Sequence, residues 1–145
     1  MRPLLDTHIW LWWIGGERQL SKQEIASLDE LSAEQRPFIS DISLWEVAVL
    51  LELGRWNVAI PFETWLKAAC HPRTVEILPI TQDIAAELAR LPATFHRDPA
   101  DRIIVSTARA RDIPLFGKLY SSESVRPARM QRSCVPEIEE FWTPD

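Results

Sequence analysis

The chain has 145 residues, enough for one domain with a sizeable core. Hydrophobic residues make up 46% and charged residues 26%, the balance of a globular protein rather than a disordered or fibrous one. No apolar run approaches the roughly 20 residues that a membrane helix needs, and Asp6 and His8 interrupt the apolar N-terminal stretch before it resembles a signal peptide. The net charge of −5 argues against a general nucleic-acid coat protein. That charge is uneven: residues 97–132 carry eight Lys/Arg and four Asp/Glu, whereas the rest carries eight and seventeen. An anionic substrate therefore has one region to approach. Cys70 and Cys134 form neither a disulfide framework nor a close metal cluster, so the expectation is free thiols in a reducing cytoplasm. The seven tryptophans are expected to anchor a core or an interface.

Arg2–Leu5 reads as a first strand, closed by Asp6-Thr7. The run Ile9–Ile14 is ambiguous by periodicity, but a polar start and a Gly15-Gly16 stop favour a helix of about two turns. Ser21 with Glu24 fits a capping box for a helix carrying Ile25, Leu28 and Leu31. Pro37–Ser40 reads as a second strand. A helix follows with Ile42, Trp45, Val49 and Leu53 on one stripe and Gly54 as its stop. Pro61 opens a helix through Cys70, ended by His71-Pro72. Thr74–Leu78 is a third strand, and Thr81 caps a helix with Ile84, Ala85, Leu88 and Leu91. Asp98 as cap and Pro99 in the first turn signal a helix to about Arg111, with Ile104, Val105 and Ala108 inward. Ile113–Phe116 is a fourth strand. Beyond Gly117 the pattern is atypical, with Cys134-Val135 as a candidate edge strand and Phe141-Trp142 packing at the end. Alternating strands and helices predict one α/β domain over residues 1–145, with a mainly parallel sheet covered on both faces. Its site is expected at the carboxyl ends of the strands.

Asp6, Glu46, Asp98 and Asp101 all fall near that end. Each has a plain structural reading. Asp6 and Asp98 precede helices as caps, Ser43 with Glu46 fits a capping box, and Asp101 meets a helix dipole in the first turn. Taken together they offer another reading, since three or four carboxylates can hold Mg²⁺ or Mn²⁺ for work on a phosphodiester. Arg97 and Arg102 flank the last pair as candidate phosphate contacts. His8 on an apolar helix is expected to be packed rather than a ligand. Trp10, Trp12 and Trp13 are read as core or dimer surface rather than a base-stacking platform.

Leu4-Leu5-Asp6-Thr7-His8, then Ser40-Asp41-Ile42-Ser43-Leu44-Trp45-Glu46, then Phe95-His96-Arg97-Asp98-Pro99-Ala100-Asp101-Arg102 resemble the PIN-domain family. More narrowly, they resemble its VapC-type toxin ribonucleases, over residues 3–116. The resemblance implies a three-layer α/β/α fold with a central sheet of four or five strands. It also implies a Mg²⁺- or Mn²⁺-dependent endoribonuclease that hydrolyses RNA with a metal-activated water. A VapB-type antitoxin and a homodimer are the implied partners. Asp6, Glu46 and Asp101 match the acidic metal-binding positions, Thr7 and Ser43 match the polar residues beside them, and Asp98 matches a capping or supporting position.

The chain departs from the family after the fourth strand. Members commonly carry a Thr-x-Asp segment there, and this chain has Gly117 at the Thr position and Leu119 at the Asp position. Glu123 is the carboxylate available to replace it. The departure keeps two alternatives in view. One is a PIN-fold binding module with weak or lost catalysis that still binds an antitoxin. The other is a metal-dependent phosphatase, disfavoured because Asp6-Thr7-His8 lacks the second aspartate of an Asp-x-Asp start.

Overall fold

A computed structural model describes residues 2–16, 19–95, 98–117, 131–132 and 141–143. Four strands pair in parallel: β1 (Leu4–Leu5), β2 (Phe38–Ser40), β3 (Glu76–Leu78) and β4 (Leu115–Phe116). Two further strands, β5 (Gln131–Arg132) and β6 (Phe141–Thr143), add antiparallel to β4, so the sheet order is β3-β2-β1-β4-β6-β5. The mainly parallel sheet is as expected, with its antiparallel extension at one side. Phe141-Trp142 belongs to β6 and pairs with Phe116 and Leu115. Cys134-Val135, the other strand expected near the C-terminus, lies outside the described residues.

Among the described residues, six α-helices connect and cover the strands. They are α1 (Thr7–Gly15), α2 (Lys22–Asp29), α3 (Ile42–Glu52), α4 (Phe62–Ala69), α5 (Gln82–Ala89) and α6 (Pro99–Arg111). Their ends follow local chemistry. The Ser21 hydroxyl accepts from the Glu24 N–H at the start of α2, and the Asp98 carboxylate accepts from the Asp101 N–H at the start of α6. Gly16 stops α1 in the left-handed region, at φ +64°, with its N–H on the carbonyls of Trp12 and Trp13.

Successive residues of a strand face opposite ways, and the sheet accordingly has a core on each side. Leu5, Ile39 and Phe116 pack with Ile9, Trp10 and Val47 on one face. Leu4 and Leu115 pack with Phe95, Ile104, Val105 and Ala108 on the other. Trp10 is fully buried and donates its indole N–H to the Ala69 carbonyl at 3.2 Å, so that tryptophan is core. Trp12 and Trp13 are half-buried. Helices α5 and α6 are tied by Arg109–Glu87 at 3.1 Å and by Arg111 to Asp83 and Thr81. No helix among the described residues is long and apolar enough to cross a membrane.

The stripe Ile42, Trp45, Val49 and Leu53 is divided: Ile42 packs against a core cluster, whereas Trp45 and Leu53 are open to solvent. Ser43 and Val47 are the buried residues of α3, while Trp45 is 52% and Leu53 59% exposed. Apolar spacing marks a face that avoids water, and it does not distinguish a core from a cleft.

The chain runs outward from β1 through β2 to β3, then crosses back to place β4 on the other flank of β1. That reversal is a topological switch point, where a crevice opens beyond the carboxyl ends of the strands. Asp6 leaves β1 there, and its N–H donates to the Phe116 carbonyl of β4 at 3.0 Å. Helix α6 precedes β4, so it begins at this same end of the sheet.

Candidate active site

Asp6 is 4% exposed and caps α1, its Oδ1 accepting from the Ile9 N–H at 2.8 Å. Its other oxygen faces the end of β4. A Cβ built on Gly117 would lie 2.5 Å from Asp6 Oδ2, 2.8 Å from its Cγ and 2.9 Å from its Cβ. Only a residue without a side chain leaves the carboxylate this position. The sequence marks Gly117 as a departure from a family pattern, and the structure gives the departure a physical content.

Thr7 and Ser43 are both buried and link α1 to α3. Thr7 Oγ1 lies 2.8 Å from Ser43 Oγ and 2.8 Å from Glu46 Oε2. A hydroxyl has one proton to give. Thr7 spends it on the carboxylate, so Ser43 donates to Thr7, and a directed chain runs Ser43 to Thr7 to Glu46. This corrects the capping-box reading of Ser43 and Glu46. The N-cap of α3 is Asp41, without a side-chain cap bond, and its Oδ2 instead accepts from the Ile80 N–H at 3.1 Å. Ser43 and Glu46 lie inside the helix, one turn apart on one face, turned toward α1.

Burial pushes the Glu46 carboxyl above its usual range. The Thr7 hydrogen bond and the His8 imidazole oppose the rise, and the charges of Asp101 and Asp98 add to it. Glu46 therefore feels both carboxylates of α6 from its place on α3. Asp98 is exposed and occupied as the α6 cap, leaving Asp101, one turn in and half-buried, to present its side chain from the same helix end. His8, expected to be packed, is exposed and rests near Trp12, with ring centroids 5.8 Å apart. Arg102 is half-buried on α6. Arg97, Leu119 and Glu123 lie outside the described residues.

A divalent cation suits this environment. A buried carboxylate disfavoured by two neighbouring carboxylates is relieved by a positive ion placed among them. Among the described residues no three His, Cys, Asp or Glu side chains form a group that could hold a metal ion. An ion held here would therefore rest on one or two carboxylates and keep several waters, as Mg²⁺ does, rather than sit in an all-protein cage.

A cleft of about 590 Å³ opens beside these carboxylates, with Glu46 and Asp98 in its wall. Trp12, Trp45, Arg55 and Trp56 line it too. Of these, sequence reasoning named Trp12 and Trp45 but neither Arg55 nor Trp56, which lie beyond the end of α3 in a segment without a periodic signal.

Fold and site together define a PIN domain: the PIN-domain family profile matches residues 4–118, and the chain belongs to that family. Within it the chain is similar to Ribonuclease VapC22 of Mycobacterium tuberculosis. The two are 41% identical over 109 residues, covering 72% of this chain and 77% of the relative. This identity sets the chain among the VapC-type members. Among solved structures it is similar to a toxin–antitoxin complex from Klebsiella pneumoniae. That match has a TM-score of 0.58 and 24% identity, covering 83% of this chain and 92% of the matched one, and speaks to the fold.

Proposed function

We propose that this protein is an endoribonuclease and the toxin of a toxin–antitoxin pair, hydrolysing RNA phosphodiesters with Mg²⁺ or Mn²⁺. The observation that carries the reading is Glu46, half-buried, fixed by the Ser43–Thr7 chain and flanked by Asp98 and Asp101. The 41% identity to a protein named a ribonuclease supports it. Of the candidate ligands Asp6, Glu46 and Asp101, one or two would hold the ion directly and the rest through its waters. When bound, such an ion polarises a phosphoryl oxygen and lowers the pKa of water to make a nucleophile. The protein's own residues supply position. Ser43 and Thr7 keep one oxygen of Glu46 engaged, which fixes where the other points, and Asp98 holds the α6 terminus that carries Asp101. Arg102, and Arg97 in the loop before α6, are the candidate phosphate contacts. A VapB-type antitoxin and a homodimer belong to the same reading, the former supported by the likeness to a toxin–antitoxin complex.

A second reading has its own observation. Leu119 stands where the family commonly has an aspartate, which favours a binding module that keeps an antitoxin partner with weak catalysis. A cleavage assay on single-stranded RNA with Mg²⁺ or Mn²⁺ separates the two. Wild type is expected to cleave, and Asp101→Ala to lose more than about 100-fold, since even outer-shell partners of a metal site cost 10–100-fold. Equal rates would remove Asp101 from the site. No cleavage by a wild type that binds an antitoxin tightly would move the assignment to the binding module.

A further inference from the structure

We propose that the cleft beside the carboxylates is a subsite for an unpaired base of single-stranded RNA, with Trp45 as its stacking face. The inference rests on the ribonuclease reading and names what lies next to the bond that is cut.

The first support is the open stripe of α3. Trp45, Val49 and Leu53 recur at helical spacing along the cleft, and Trp45 is 52% exposed. A half-exposed tryptophan on a concave wall is a stacking surface already desolvated on one side. The second support is continuity. Trp45 precedes Glu46 on the same helix, and both line the cleft. A strand whose phosphate lies at Glu46 has Trp45 within reach of its neighbouring nucleotide, since both side chains line the one cleft.

The third support is the chemistry of the other walls. Trp56 is locked in place by Trp65, with centroids 4.7 Å apart, and by Phe62 at 6.3 Å. It forms a rigid boundary. Arg55 and Asn57 stand beside it, offering a guanidinium to a phosphate or a ring face and an amide to a base edge. Aromatic faces, one amide and one cation are what proteins use to hold splayed-out RNA bases.

The test measures binding of a short fluorescent single-stranded oligoribonucleotide to the full chain, with Ca²⁺ in place of Mg²⁺, and separately kcat and KM for cleavage. Trp45→Ala is expected to weaken binding about tenfold and to raise KM by a similar factor with kcat little changed, while Trp45→Phe stays close to wild type. Circular dichroism of each variant checks that the fold is kept. If both variants bind and cleave like wild type, the subsite is overturned and the ribonuclease reading stands. If wild type neither binds nor cleaves RNA, both fall. If Trp45→Ala leaves RNA binding intact but weakens self-association or capture of an antitoxin, the cleft is a protein interface and the inference is wrong.

Discussion

Replacing Asp6 with asparagine is expected to leave the protein folded and to remove activity. Asp6 has two tasks that this substitution separates. As the α1 cap it offers Oδ1 to the Ile9 N–H, and an asparagine carbonyl does this as well as a carboxylate. As a candidate ligand it must bring a negative charge, which asparagine lacks. Urea denaturation should therefore place Asp6→Asn close to wild type, whereas Asp6→Ala, without a cap, should lose about 1 kcal/mol. RNA cleavage should fall by more than about 100-fold in both. An Asp6→Asn protein that cleaves at the wild-type rate would leave Asp6 with its structural task alone.

Gly117→Ala tests the close approach at the end of β4. The new methyl group would sit 2.5 Å from Asp6 Oδ2, well inside van der Waals contact. The carboxylate has no easy escape, because it is buried and its other oxygen is committed to the Ile9 N–H. Either the cap breaks or the end of β4 moves, and overpacking of this kind costs about 1–3 kcal/mol. A double-mutant cycle makes the cause specific. Glycine is an acceptable N-cap, so Asp6→Gly is tolerated, and it removes the three atoms nearest the new methyl group. In that background Gly117→Ala is expected to cost little, giving a coupling of at least about 1 kcal/mol. Costs that simply add would mean the two residues do not oppose each other.

Much of this architecture was legible in the sequence, because its signals were local. Asp98-Pro99 marks a helix start with both a cap and a preset φ, and α6 begins there. Gly16 and Ser21 announce helix ends through backbone geometry and a side-chain acceptor, each within a few residues. Ser43 and Glu46 were harder. Their spacing satisfies a capping box, and what overrules it is Thr7, distant in sequence, which takes both side chains for a contact between helices. The place of Trp45 and Leu53 was not legible for a related reason, since a helix stripe that lines a cleft has the same period as one that lines a core. The meaning of Gly117 needed the third dimension as well. As a letter it is one missing threonine; in space it is the room occupied by Asp6.

The pairing of β1 also governs when the site can exist. Leu4 pairs with Phe38 on one side and with Leu115, more than a hundred residues later, on the other. Synthesis at about 5–20 residues per second delivers Asp6 seconds before Gly117 and the strand it follows. Such non-local pairings are slow to form and are among the last contacts to be secured. A nascent chain thus carries Asp6, Glu46 and Asp101 without the β4 neighbour that seats Asp6. On the proposed function, a protein that cuts RNA would gain its full site only after the segment carrying β4 had been made.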